Sequence, residues 1–297
     1  MSVTTSTEKD VSFGIHKYAR NGTKKPLPEG TPTEIKTAHT RTGSLFIVQQ
    51  VLSVAPPLLL GLFFLISWYV STTYGHVNGL ILPVPGDVLA SLSDGIGSGL
   101  FLSNALVTIQ ESLFGFLLAL IVALPLGYAL AKSRIIAAAV QPYLAAGQAI
   151  PAIVIAPVLV FWLGNGFIPI MIVCTLVVFF PMVITTVLGV QTIDKTLTDA
   201  ARVEGASGWS LLALIEFPLA LPAILAAIRT GLTLSITGAL VGEFVGGGDR
   251  GLGSLVQIAR EQFNTPLLFA TLVVLACLAA LYYSATWLLV KLAEVIY

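Results

Sequence analysis

Polar and apolar residues are segregated along this chain into long blocks. Between Arg41 and Asp87 lie 45 residues without an acidic, lysine or arginine side chain, centred on the apolar run 51–70. Glu111 and Lys132 bound 20 more, and Arg134 and Asp194 bound 59, room for two helices turning at Gly164, Asn165 and Gly166. A fifth apolar segment, 222–245, contains Arg229 and Glu243, and a sixth lies among the 29 residues between Glu261 and Lys291. A helix needs about 20 mostly apolar residues to cross a bilayer. The pattern therefore predicts an all-α membrane protein with six transmembrane helices.

Composition agrees with the pattern. Of 297 residues, 56% are hydrophobic and 10% charged, with a mean hydropathy of +0.92; soluble domains carry roughly 25% charged residues. A soluble enzyme, a disordered chain and a secreted disulfide scaffold are excluded. Fifteen Lys and Arg balance fifteen Asp and Glu, so no net charge points to a nucleic-acid partner. Cys174 and Cys277 both lie in apolar runs, where a free cysteine acts as a small hydrophobe.

The placement of charge is more informative than its sum. Residues 1–45 hold seven basic and four acidic residues in a Thr-, Lys- and Pro-rich stretch without apolar periodicity. This reads as a disordered cytoplasmic tail ahead of a six-helix domain over 46–297. Segments 1–45, 132–135, 191–218 and the tail after Val290 hold twelve basic residues, whereas the intervening loops hold only Arg250 and Arg260. Lys and Arg collect on the cytoplasmic side, so both termini are expected there. The N-terminus lacks the short apolar core of a signal peptide, so the first span is expected to be retained. In the first outside loop, Pro83 and Pro85 break the chain, and residues 87–92 are expected to form a short interfacial helix with Val88, Leu89 and Leu92 on one side.

The loop at 191–221 carries the strongest local signal. Thr196 and Asp199 have capping-box spacing, which predicts a helix from about Leu197. Ala200 and Ala201 favour that helix, and Gly205 supplies the left-handed residue that ends it. Ser207 is placed to cap a second helix with Leu211, Leu212 and Ile215 on one face, stopped by Pro218 and Pro222. The product is a helix–turn–helix at the membrane surface, suited to a groove on another protein.

This loop resembles the coupling loop of binding-protein-dependent ABC transporter permeases. That family's pattern is Glu-Ala-Ala, three residues, Gly, nine residues, then Ile-x-Leu-Pro. Here Asp199, Ala200 and Ala201 are followed by Gly205, Ile215, Glu216, Phe217 and Pro218 at the matching spacing, with Asp199 for the usual Glu and Phe217 for the usual Leu. Supporting stretches are Gln148 to Pro151 with Ile155 to Pro157, Phe179 to Pro181, Gly242 to Gly246, and Arg250 to Gly253. The likeness runs from about Leu82 to Val290 and is nearest the nitrate, sulfonate and taurine branch, which includes permeases for thiamine-precursor pyrimidines and riboflavin. The 1–45 tail lies outside it.

The resemblance implies a type I ABC importer permease fold in a bacterial or archaeal plasma membrane. It implies a second permease subunit, most simply an identical one, a cytoplasmic ABC ATPase dimer and an extracytoplasmic solute-binding protein. ATP and Mg would be bound by the partner ATPase and no cofactor by this chain. Asp199, Ala200, Ala201, Glu204, Gly205, Ile215 and Pro218 would form the ATPase-coupling surface. A secondary transporter working without an ATPase remains the alternative; it would show inverted repeats and paired broken helices. The proline breaks are present, but no repeat is.

Charged residues inside a membrane usually face a cavity or the bundle interior. Glu111 and Glu243 fall at similar, outward depth on spans of opposite direction. Either they line the translocation path or gate, or they sit at the interface or pair with a neighbour such as Gln110 or Arg250. Two carboxylates on the path would disfavour a naked anion and favour a neutral or cationic heterocycle. Gln148 and Pro151 lie among Pro142, Gly147 and Pro157, which free backbone carbonyls; such backbone is tolerated beside a water-filled cavity or in a packed kink. Arg229 is expected to reach back to the cytoplasmic interface. The Gly-rich run 246–253 follows a span and lacks a phosphate-loop lysine, so it reads as a flexible outer loop meeting a binding protein. His16, His39 and His76 have no metal spacing, and no nucleophile–base group assembles, so no catalytic or metal site is expected.

Overall fold

The computed structural model describes residues 42–75 and 77–296; the expectations for the tail before Thr42 and for His76 lie outside the described residues. The chain divides into two units, 1–59 and 60–297. Among the described residues, the first unit consists of the opening turns of α1 (Thr42–Thr73), which starts a few residues before the expected boundary. In the second unit, Trp68 Nε1 donates to the Pro83 carbonyl at 3.0 Å and its ring lies 5.7 Å from that of Phe269, fixing the end of α1.

Helix α2 (Pro85–Gly97) begins two residues earlier than expected, because Pro85 has the preset φ and needs no hydrogen-bond partner at a first helical position. Val88 is buried and Leu92 packs beside it, but Leu89 is 65% exposed, so the expected three-residue face is two residues wide.

Three long helices form the centre: α3 (Leu100–Lys132), α6 (Phe167–Gln191) and α9 (Phe217–Gly242), with α6 lying against both of the others. Small residues make the close approach possible. A Cβ at Gly238 would stand 2.7 Å from Cα of Cys174, and one at Gly242 would stand 3.0 Å from Cα of Ile170. These two glycines, four apart, are a small-xxx-small seam, the packing device of membrane helices that gain nothing from hydrophobicity alone. Cys174 is fully buried at this junction, its thiol aimed at the carbonyls of Ser235 (3.2 Å) and Ser112 (3.5 Å).

Between α3 and α6 run α4 (Arg134–Ala149) and α5 (Ala152–Leu163), bent by 93° at their junction. Ile150 and Pro151 are both extended, as expected for a residue before proline and for the N-cap residue that precedes a new helix. Among the described residues, five helical stretches are long and apolar enough to cross a membrane, and the bent pair, taken as one broken span, brings the number to six. After α9, α10 (Leu252–Glu261) and α11 (Thr265–Ile296) close an apolar cluster in which Leu252, Ala270 and Tyr282 pack with Val88 and Phe101. Arg229 stacks over the Tyr283 ring of α11 at 4.9 Å, so its apolar stem and charge are accommodated by a neighbouring helix.

Candidate functional site

The loop between α6 and α9 folds as a tight hook. Helix α7 (Lys195–Val203) starts two residues before the expected point because Asp194 caps it: its Oδ1 accepts the Thr196 N–H at 2.9 Å. That bond to the ionised form holds the exposed Asp194 carboxyl below the usual aspartate range. Asp199 instead points outward and pairs with Arg202 at 3.1 Å. Gly205 has φ +97°; it donates to Arg202 O while Ala206 N–H reaches Ala201 O at 2.9 Å, the two bonds of a Schellman ending. Glu204 occupies the C-cap and is exposed.

After Ser207, a single turn, α8 (Gly208–Leu211), enters a π-helical turn, Leu212–Glu216, and continues directly into α9. Pro218 and Pro222 therefore do not stop the second helix. Pro218 occupies the first turn of α9, and Phe217 N–H bonds to Leu212 O five residues back, a wider turn that accommodates the proline ring. Leu211 is buried, Leu212, Ile215 and Pro218 are half-buried, and Leu214 is exposed. The tip presents apolar side chains: Val203 is 90% exposed and Trp209 78%. Ala200 is exposed beside them and Ala201 half-buried.

Sequence reasoning missed what braces this hook. Glu216 is 2% exposed and accepts Lys132 Nζ at 2.7 Å and Tyr128 Oη at 2.6 Å, both from the last turns of α3. A carboxylate in an otherwise apolar run, LLALIEF, signals the need for a partner. The 84 residues separating it from Lys132 hide which one.

The structure brings Glu111 and Glu243 together in the interior, at 2% and 0% exposure, rather than on an open cavity wall. Their neighbours are neither Gln110 nor Arg250. Glu243 Oε1 accepts the Thr108 hydroxyl at 2.6 Å and Oε2 accepts Gly253 N–H at 2.5 Å. Gly251 N–H reaches Asn104 Oδ1 at 2.8 Å and Leu252 N–H reaches Thr108 Oγ1 at 2.9 Å. The start of α10 is thus sewn onto α3 and α9. The expected flexible outer loop is anchored at 251–253, while Asp249 and Arg250 stand exposed. A Cβ at Gly251 would collide with the Glu243 carboxylate, so backbone must pass this close. Replacing Glu243 with alanine should orphan the buried Gly253 N–H, at about 1–3 kcal/mol, and leave the Thr108 hydroxyl only the longer bond to the Asn104 carbonyl at 3.3 Å. Faster amide exchange at residues 251–255 than in the parent protein would report it.

Gln148 sits at the end of α4, just before the 93° bend, and is exposed. It lines a cavity of about 230 Å³ with Pro151, Phe180 and Pro181. The Phe180 ring occupies the place a Cβ on Gly147 would take, so the ring and α4 approach only because Gly147 has no side chain.

Residues 115–294 match the family described as binding-protein-dependent transport system inner membrane component. The riboflavin transport system permease protein of Chloroflexus aurantiacus is 42% identical over 228 residues, covering 77% of this chain and 85% of that protein. The formylaminopyrimidine transport permease protein of Halalkalibacterium halodurans is 28% identical over 229 residues, covering 77% of this chain and 90% of that protein. The inward-facing MetNI methionine ABC transporter shares the fold: TM-score 0.58 at 20% identity, over 64% of this chain and 94% of that chain.

Proposed function

This chain belongs to the family of binding-protein-dependent transport system inner membrane components and is a multi-pass permease subunit of an ABC importer, and from that premise we propose how it works. Two copies pair, a cytoplasmic ABC ATPase dimer docks on the 196–222 loops, and an extracytoplasmic solute-binding protein delivers a small solute. ATP binding draws the two loops together and turns the span bundles from inward- to outward-open, and hydrolysis resets them. Hydrolysis belongs to the ATPase, which holds ATP and Mg; this chain supplies the path. Both termini then lie in the cytoplasm, on the side of the twelve basic residues.

One observation carries the reading: a rigid hook, closed by the Asp194 cap and by Gly205, that presents Val203 and Trp209 to solvent. A tryptophan this exposed at the tip of a polar loop is the kind of anchor that fills a pocket on a partner protein. The solute is either a sulfonate-, nitrate- or taurine-type anion or a pyrimidine- or riboflavin-type heterocycle, the range that the named relatives and the resemblance span. The test is copurification of this chain with an ATPase, followed by ATP-driven uptake in proteoliposomes supplied with binding protein. Uptake by the permease with no ATPase present would overturn the reading.

A further inference from the structure

Helix α4 has no buried residue along its sixteen positions, although it belongs to an apolar span. Its two carboxamides, Gln141 and Gln148, are two turns apart and share one face with Leu144 and Ala145. Gln191, in the last turn of α6, closes the same chamber of about 430 Å³. Gln148 lines both this chamber and the smaller one at the bend, so a single amide spans the two.

A carboxamide facing hydrocarbon leaves its donors and acceptor without partners, which costs several kcal/mol. Gln141 and Gln148 on one chamber wall, with Gln191 beside it at the end of α6, fit water or solute rather than lipid. The residues lining the chamber include no acidic or basic side chain. An anion there would lose its hydration and meet no counter-charge. A carboxamide offers N–H and C=O side by side, which matches the adjacent N–H and C=O of a lactam or imide ring edge. Leu144, Ile184 and Leu188 supply apolar surface for the ring faces.

We infer that Gln141, Gln148 and Gln191 form an uncharged amide site on the translocation path that selects a neutral heterocycle with lactam or imide edges over a sulfonate- or nitrate-type anion. The inference rests on the permease reading and adds the substrate class and the residues that discriminate. The binding protein acts upstream of this site, so the test bypasses it.

The intact complex of permease and ATPase, without nucleotide, is titrated in nanodiscs with riboflavin and uracil as heterocycles and with ethanesulfonate and nitrate as anions. At least one heterocycle should bind, and neither anion should displace it at hundredfold excess. Q141L and Q148L should each weaken binding about tenfold, while Q148N, which keeps the amide, should lose less. Assembly with the ATPase verifies the fold of each variant; Q141L, altered on an exposed face, carries the test if Q148L does not assemble. Binding of an anion as tight as that of the heterocycles, no heterocycle binding, or unchanged binding in the leucine variants would overturn the inference. ATP-driven uptake by the parent complex with its binding protein separates the two failures. Its absence defeats the permease reading, whereas normal uptake by variants without altered binding defeats only this site.

Discussion

Replacing Gly205 with valine should strip the ATPase from the complex while membrane insertion stays normal. Gly205 has φ +97°, and no atom stands within 4 Å of a Cβ placed there. The penalty is therefore one of backbone conformation, not crowding. A left-handed residue costs roughly 1–2 kcal/mol with a side chain present, and β-branching worsens it. The hook can escape that cost only by opening the Schellman turn, which would move Trp209 relative to Val203. Since 1.4 kcal/mol is a factor of ten in affinity, copurified ATPase and uptake should fall about tenfold or more. Asparagine tolerates the left-handed region, so G205N should retain most of both. Equal behaviour of the valine and asparagine variants would show that the turn conformation is irrelevant to docking.

Much of this architecture is legible in the sequence because its causes are local. Uncharged run length marks the spans, and glycine at 205 marks a turn whose φ other residues resist. Where the reading departs from the structure, a neighbour or a competing local device decides. Asp194 caps α7 in place of Thr196 because its side chain reaches the Thr196 N–H two residues on. Pro218 and Pro222 signal a stop, yet a π-helical turn absorbs the first and lets the helix run through Gly208–Val245. The bend at Ile150 and Pro151 was foreshadowed by proline, but its 93° angle is not written in any local pattern.

The candidate site divides in the same way. The paired depth of Glu111 and Glu243 follows from counting turns on two spans. That Thr108 and the start of α10 would surround Glu243 does not, since those contacts join residues 135 and 10 positions away. Gln141 and Gln191 looked unremarkable in sequence because neither is charged nor flanked by a motif. Only folding sets them around one chamber with Gln148.

Lys132→Met should be the most destabilising single change at the end of the bundle that carries the 196–222 loop. Glu216 is 2% exposed, and the substitution would leave its carboxylate with the Tyr128 hydroxyl alone. Removing one partner of a buried ion pair costs about 3–5 kcal/mol. The lower end applies here, because the Lys132 side chain is 34% exposed and water partly replaces it. Glu216→Gln should cost less, since it removes the charge rather than the charge's partner. The double variant K132M/E216Q should then be more stable than K132M alone, an ordering that thermal unfolding in detergent can check. The effect reaches function because Glu216 ends the π-helical turn between the hook and α9, whereas Lys132 ends α3. The pair thus ties the exit of the loop to a central span, and K132M should raise the ATP consumed per solute moved even in complexes that still assemble. If K132M is as stable as the double variant and transports with unchanged stoichiometry, the pair neither buries a charge nor transmits the loop's motion.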